Sequence, residues 1–158
     1  MRATCLALAA AFTLSACGVD QPGDNGFSVA DYNGRWLVVN YWAEWCKPCI
    51  KEIPELNALD AKYPQVAVVG VNFDGETGDV LRQQIDRLGI AFPVLGEEPS
   101  AALGVPLPSV LPATFIFDPD GKLAHSLVGP QTLESLAAAT GQVGMPTEAE
   151  SQNELQPN

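Results

Sequence analysis

Two cysteines separated by two residues, Cys46 and Cys49, are the side chains in this sequence best suited to chemistry. An apolar run over 36–42 leads into them and a helical pattern over 50–63 leads away, so the pair falls at a turn from a strand to a helix. Unsatisfied backbone N–H groups and the helix dipole at such a helix start favour a negative charge. A thiolate is therefore stabilised there, and the thiolate is the nucleophile in disulfide exchange. The spacing predicts a redox-active dithiol that can close as an intramolecular disulfide.

A pair of cysteines at this spacing has two other interpretations, half of a zinc site and a structural disulfide. Zinc takes four ligands, but Cys5 and Cys17 lie in the N-terminal leader and His125 is the only histidine. A structural disulfide across so short a loop would constrain little of the unfolded chain. The redox interpretation is favoured over both.

The length and charge of the chain limit its class. Its 158 residues are enough for one domain with a buried core. The net charge of −11 at pH 7 argues against nucleic acid or an anionic membrane as a partner of the protein surface. The acidic balance says little about partners that react through thiols.

The first 16 residues have the features of an export signal, with one positive charge at Arg2, a short apolar stretch and small residues at the end. The stretch is too short for a stable membrane-spanning anchor. Residues 14–17, LSAC, resemble the bacterial lipobox, in which cleavage leaves the cysteine as a lipidated N-terminus. Acyl chains on Cys17 would tether the domain to a membrane. The alternative is an ordinary cleaved signal in which Cys17 is incidental.

Four segments are expected along the chain. Residues 1–16 are interpreted as a lipoprotein signal peptide and 17–26 as a flexible tether with too little apolar content to fold. Residues 27–141 are expected to form the domain, and 142–158 a polar, acidic and disordered tail.

Hydrophobic periodicity and turn signals predict an α/β domain. The predicted strands are 36–42, 66–73, 92–95, 113–117 and 122–128, and the predicted helices are 50–63, 78–88, 100–103 and 132–140. Strand–helix alternation followed by a hairpin and a last helix implies a mixed, mostly parallel central sheet with an antiparallel edge, flanked by helices.

The active-site motifs resemble those of thioredoxin. Residues 41–49, YWAEWCKPC, are similar to the thioredoxin active-site segment almost residue for residue, and Pro54 matches the helix kink of that family. Residues 111–114, LPAT, are similar to its cis-proline loop. The added helix and strand at 77–95 are similar to those of the membrane-anchored TlpA/ResA group. The chain is identified as a member of the thioredoxin-like superfamily, of TlpA/ResA type, which implies a thioredoxin-like fold.

Glu52 is a candidate catalytic acid. At 100° per residue it falls between Leu56 and Leu59 on the apolar stripe of the first helix. A carboxyl among apolar groups should have a raised pKa and can exchange a proton near neutral pH. The TlpA/ResA resemblance also implies an active-site acid here. The alternative is a solvated surface Glu, and the position of Asp60 near the same stripe weakens the geometric argument.

Four residues are candidates for contact with the substrate. A cis bond before Pro112 would turn the Leu111 backbone towards the dithiol, and the resemblance implies that this backbone pairs with the substrate strand. The alternative is a trans proline that starts a strand. Trp45 and Pro48, on either side of Cys46, are expected to form part of the docking surface.

The two cysteines are expected to differ in role. Cys46 is predicted to be the exposed nucleophile and Cys49 the buried, resolving cysteine. Asn40 replaces the acidic residue that takes the proton of the second cysteine in thioredoxin, so this task passes to Glu52 or to water. Lys47 adds a positive charge that favours the Cys46 thiolate.

The resemblance implies an exported, lipid-anchored thiol–disulfide oxidoreductase of the bacterial periplasm. It implies reduction of disulfides in exported proteins, cytochrome c maturation being one task of the group, with a membrane thiol transporter as electron donor. We expect a monomer that needs no cofactor or metal. A disulfide-donating oxidase would use the same residues, and a copper chaperone is the second alternative, which lacks support because no histidine or methionine lies near the cysteines.

Overall fold

The computed structural model describes residues 27–143. After a short 3₁₀ helix, Val29–Tyr32, strands and helices alternate along the chain. They are β1 (Trp36–Trp42), α1 (Lys47–Lys62), β2 (Val66–Asn72), α2 (Gly78–Leu88), β3 (Val94–Leu95), α3 (Ser100–Leu103), β4 (Ala113–Phe117), β5 (Leu123–Val128) and α4 (Leu133–Ala139). The predicted signal peptide (1–16), lipidated Cys17, the tether (17–26) and nearly all of the predicted tail (142–158) lie outside the described residues.

The five strands form one sheet in the order β3-β2-β1-β4-β5. The pairs β1–β2 and β2–β3 are parallel, whereas β1–β4 and β4–β5 are antiparallel. The predicted mixed α/β sheet is confirmed, and its antiparallel part contains two strand pairs. The second of these is a hairpin, in which Asp118 Oδ1 accepts the N–H groups of Asp120 and Lys122 and closes the turn.

The central strand β1 is buried on both faces, which explains its nearly continuous apolar sequence. Successive side chains point to opposite faces of the sheet. Val38 and Trp42 belong to the core shared with α1, whereas Leu37, Val39 and Tyr41 belong to the core on the other face. The carboxyl end of this strand leads into the dithiol, so the site begins at the most buried element of the sheet.

Helix α1 starts at Lys47, three residues before the predicted Ile50. Its first turn is stabilised by a cap and a proline, which a hydrophobic pattern does not show. Cys46 is the N-cap residue, its Sγ accepting the backbone N–H of Cys49 at 3.3 Å. Pro48 lies in the first turn, where its missing N–H costs no hydrogen bond. Pro54 is also inside the helix but on its exposed side.

The predicted bounds of β1, α2, α3 and β4 agree with the structure, and those of the other elements differ by a few residues at their ends. The sequence pattern did not predict the 3₁₀ helix. Within residues 27–143, no helix is both long enough and apolar enough to span a bilayer.

Candidate active site

Cys46 and Cys49 are joined by a disulfide at the start of α1, with their Cα atoms 5.3 Å apart. The local sequence sets this arrangement, because β1 ends shortly before Cys46 and one helical turn separates the two residues. The predicted intramolecular pair is therefore present. Its redox role stays a prediction at this point.

The prediction that Cys46 is exposed is wrong for the disulfide form. Cys46 is 4% exposed and Cys49 is 2% exposed, so both residues are buried. Cys46 belongs to the same buried cluster as Trp42 and Ala43, which the sequence placed only as neighbours in the chain. Exposure does not distinguish the nucleophile from the resolving cysteine, and the distinction depends on position along the helix instead.

Trp45 and Pro48 are exposed on either side of Cys46, where docking contacts were predicted. Trp45 is 64% exposed. Its Nε1 donates to both carboxylate oxygens of Asp74, at 3.0 and 3.2 Å. Asp74, just after β2, was missed by the sequence reasoning, and its only signal was a carboxylate at the carboxyl end of a strand parallel to β1.

The Leu111–Pro112 peptide bond is cis, as expected. Pro112 is buried, and Leu111 packs against the cores on both faces of the sheet. Tyr41 pairs with Ala113 in the antiparallel register of β1 and β4. Residues 111–112 therefore lie beside the end of β1 that leads into Cys46. Their part in substrate binding stays a prediction.

Glu52 is buried on the apolar stripe of α1, one turn after Cys49. It is 1% exposed, so the alternative of a solvated surface Glu is wrong. Its Oε1 accepts the Asn40 Nδ2–H at 3.3 Å and the Thr114 hydroxyl at 3.5 Å. Its Oε2 is buried and has no hydrogen-bond partner within the described part of the chain.

Burial raises the pKa of Glu52 from 4.5 to about 7. An ionised carboxylate loses favourable hydration in this environment, so its neutral form is favoured. The Gln131 backbone N–H and the Thr114 hydroxyl favour the ionised form and lower this pKa, but by less than burial raises it. The Gln131 N–H does so without forming a hydrogen bond to Oε2. The carboxyl can therefore exchange a proton close to neutral pH.

Other polar candidates have different surroundings. Asp60, which had complicated the assignment of the acid, accepts the backbone N–H of Val68 at 2.9 Å and thereby ties α1 to β2. Lys47 is exposed at the first position of α1 and His125 is exposed on β5. Residues 27–143 contain no group of three or more His, Cys, Asp or Glu side chains placed to hold a metal ion.

Thr114 was also missed as a site residue. It faces Asn40 in the β1–β4 register, and the Asn40 Nδ2–H donates to its Oγ1 at 3.0 Å. The available signal was a polar residue inside each of two otherwise apolar strands. Their pairing with each other could not be read from that signal.

Three features together define the thioredoxin-like class. They are a mixed sheet flanked by helices, a disulfide at the start of the helix after the central strand, and a cis-proline just before the strand that pairs antiparallel with that central strand. The chain belongs to the AhpC/TSA family, whose model matches residues 7–126. It is similar to the thiol-disulfide oxidoreductase ResA of Bacillus thuringiensis (strain Al Hakam), with 34% identity over 107 residues. That match covers 67% of this chain and 62% of the relative, so the chain spans less than two thirds of the length of this relative.

The chain is also similar to solved structures of other proteins. StoA from Bacillus subtilis shares 26% identity with a TM-score of 0.57, covering 68% of this chain and 84% of that one. A putative thiol:disulfide interchange protein DsbE from Chlorobium tepidum shares 30% identity with a TM-score of 0.57, covering 72% of this chain and 85% of that one. Both have the fold described above.

Proposed function

We propose that this protein is a thiol–disulfide oxidoreductase that reduces disulfides in other proteins. The observation that carries the proposal is the Cys46–Cys49 disulfide at the N-terminus of α1 with the buried Glu52 carboxyl one turn further on. This arrangement combines a stabilised thiolate, a second thiol within bonding distance and a group that exchanges protons near neutral pH. The similarity to proteins named thiol-disulfide oxidoreductase supports it.

In the first step the Cys46 thiolate attacks a substrate disulfide. One substrate sulfur leaves as a thiolate and takes a proton from water, and the other becomes bonded to Cys46 as a mixed disulfide. Cys49 then transfers its proton to Glu52 and attacks Cys46 Sγ, which releases the second substrate sulfur as a thiolate. That thiolate takes the proton from Glu52. The enzyme dithiol is oxidised to the disulfide, and the substrate disulfide is reduced to two thiols.

The oxidised enzyme must be reduced again by a dithiol on the same side of the membrane. We propose a membrane thiol transporter as this electron donor and disulfide-containing exported proteins as substrates, including those of cytochrome c maturation. These partners follow from the TlpA/ResA resemblance, and the protein is expected to act as a monomer in the bacterial periplasm.

The direction of the reaction is tested by the reduction potential of the Cys46–Cys49 pair. Lys47 stabilises the thiolate and makes the couple more oxidising, but its exposed charge is screened by salt, so the effect is small. We expect a potential nearer to the value of about −270 mV of thioredoxin than to the value of about −120 mV of a strong oxidant. Equilibration of the full domain with glutathione or dithiothreitol buffers gives the value. A potential at the oxidising end, with fast oxidation of reduced unfolded proteins, would instead make this protein a disulfide donor.

The lipid anchor is a second part of the proposal and depends on Cys17. Cys17→Ala is expected to move the protein from the membrane fraction to the soluble periplasmic fraction without changing its thiol activity in vitro, because acyl chains supply the membrane affinity. Fractionation and mass spectrometry of the mature N-terminus measure both. A wild-type protein that is already soluble and begins at another residue would contradict the anchor and leave the redox proposal intact.

A further inference from the structure

The two oxygens of the Glu52 carboxyl have different surroundings. Oε1 accepts two hydrogen bonds, from the amide of Asn40 and the hydroxyl of Thr114. Oε2 is equally buried and accepts none from the described residues. A buried oxygen without a hydrogen-bond donor is much more costly when it carries charge than when it carries a proton. The carboxyl is therefore held in place through Oε1, and Oε2 is the oxygen available for proton exchange.

Asn40 and Thr114 hold Oε1 through a closed set of three hydrogen bonds. The Asn40 Nδ2 group donates to Glu52 Oε1 at 3.3 Å and to Thr114 Oγ1 at 3.0 Å. Because the Thr114 oxygen accepts from Asn40, its hydroxyl hydrogen is free to point to Oε1, 3.5 Å away. All three side chains are buried, so none of these bonds competes with bulk water.

We propose that Asn40 and Thr114 are positioning residues that fix Glu52 Oε1 and leave Oε2 as the oxygen that takes and returns the Cys49 proton. This inference rests on the proposed function for the proton's origin. During resolution, the Cys49 proton moves to Oε2, the Cys46–substrate bond breaks as the Cys46–Cys49 bond forms, and the leaving substrate thiolate takes the proton from Oε2. The carboxyl returns to its ionised state at the end of the step.

The groups around Glu52 support this division of its oxygens. On α1, the next acid along the same side, Glu55, accepts the backbone N–H of Leu133 at 2.8 Å, and Lys51 is exposed. The sheet contributes two neutral hydrogen-bond donors to Glu52, Asn40 and Thr114. Burial, the Gln131 backbone N–H and the Thr114 hydroxyl are the main influences on the pKa of Glu52, and no charged side chain is among them. The two side chains that donate hydrogen bonds to Glu52, Asn40 and Thr114, are therefore the groups whose substitution should change its proton affinity.

The titration of Glu52 in the oxidised protein tests the positioning directly and requires no activity. The midpoint is followed by the ¹³Cδ resonance of labelled Glu, assigned by its absence in Glu52→Gln. In wild type it should lie near 7. Thr114→Val removes a donor to the ionised form, so the midpoint should rise by roughly 0.5–1 pH unit. Thr114→Ser keeps the hydroxyl and should keep the wild-type midpoint.

Infrared spectroscopy of the protonated carboxyl identifies the oxygen that carries the proton. If the proton is on Oε2, the C=O group is at Oε1 and its stretch is lowered by the two donors. The band should therefore move to higher wavenumber in Thr114→Val. It should move further in Asn40→Leu, which loses both hydrogen bonds donated by the Asn40 side chain. Thr114→Ala serves the same purpose if the valine variant does not fold. An unchanged band would place the proton on Oε1 and overturn the assignment.

Thr140→Val is the matched control, because Thr140 is also buried and its hydroxyl donates to the Leu136 carbonyl at 2.8 Å, away from Glu52. It should leave the Glu52 midpoint unchanged. Equal shifts in Thr114→Ser and Thr114→Val, or no shift in either, would overturn the role of the hydroxyl.

A kinetic measurement on the reduced enzyme separates this proposal from the function on which it rests. The pH at which resolution of the mixed disulfide is half-maximal should move with the Glu52 midpoint in Thr114→Val. A shifted midpoint with an unshifted rate profile would overturn the proton transfer and leave the oxidoreductase function standing. A wild-type protein that reduces no disulfide would remove the function, whereas the titration would still decide the positioning of Oε1.

Discussion

The Cys49→Ser variant is expected to accumulate a mixed disulfide between Cys46 and its substrate and to lose turnover by on the order of 10³-fold or more. The resolving thiol acts inside the same molecule, and an external thiol at millimolar concentration cannot replace the effective concentration of a well-placed neighbour. The covalent product is measured by mass spectrometry and non-reducing electrophoresis after mixing the reduced variant with a disulfide substrate. Turnover is measured with the same substrate and an external reductant.

Cys46→Ser is the matched control for this experiment and should form no mixed disulfide. The reason is positional, since Cys46 caps α1 and its sulfur accepts the Cys49 N–H at 3.3 Å, where the helix dipole stabilises a thiolate. Cys49 lies inside the first turn and is directed into the core. Trapping by the Cys46→Ser variant and not by Cys49→Ser would reverse the two roles.

Glu52→Gln is expected to slow resolution of the mixed disulfide at pH 8 by roughly 10²–10⁴-fold, the range of general acid–base catalysis. With its pKa near 7, Glu52 is mostly ionised at pH 8 and can accept the Cys49 proton, whereas at pH 5 it is protonated and cannot. The wild-type rate should therefore rise as the pH increases through about 7. The variant should lose that rise and keep only the dependence that comes from the thiols. Rapid quench of the preformed mixed disulfide over pH 5–9 measures it.

Glu55→Gln is the matched control on the same helix, because the Glu55 carboxylate binds the Leu133 N–H at the start of α4 and does not contact the dithiol site. Its rate profile should remain that of wild type. If Glu52→Gln keeps the rise near pH 7, or Glu55→Gln loses it, Glu52 is not the proton acceptor.

Glu52→Gln should also increase the free energy of unfolding at alkaline pH. The folded-state pKa of Glu52 is above its value of 4.5 in the unfolded chain, so the folded state binds more protons between these two values. Stability therefore falls as the pH rises from about 4.5 through about 7, by up to about 3 kcal/mol in total. Urea unfolding at pH 5 and pH 8 should show this decrease in wild type and a smaller one in Glu52→Gln. Such a result would show that the proton-exchanging group is kept at a cost in stability.

The sequence by itself determined the features that depend on neighbours in the chain. The spacing of Cys46 and Cys49, the strand before them and the helix after them predicted the disulfide, because one helical turn sets their separation. The periodicity of α1 predicted that Glu52 lies on the buried face, since 100° per residue is a local property of the helix. The apolar runs of β1 and β4 predicted two strands with their observed bounds.

The tertiary structure alone decided which distant residues meet. Asn40 and Thr114 are 74 residues apart, and only the antiparallel register of β1 with β4 places them opposite each other. There both side chains can donate hydrogen bonds to Glu52. Trp45 and Asp74 meet across 29 residues because β2 runs parallel to β1 and ends at the same edge. The burial of both cysteines likewise depends on packing around α1. Periodicity reports which face of an element is apolar, but register and packing are set by contacts between elements, so the partners of Glu52 and of the dithiol could be known only from the folded chain.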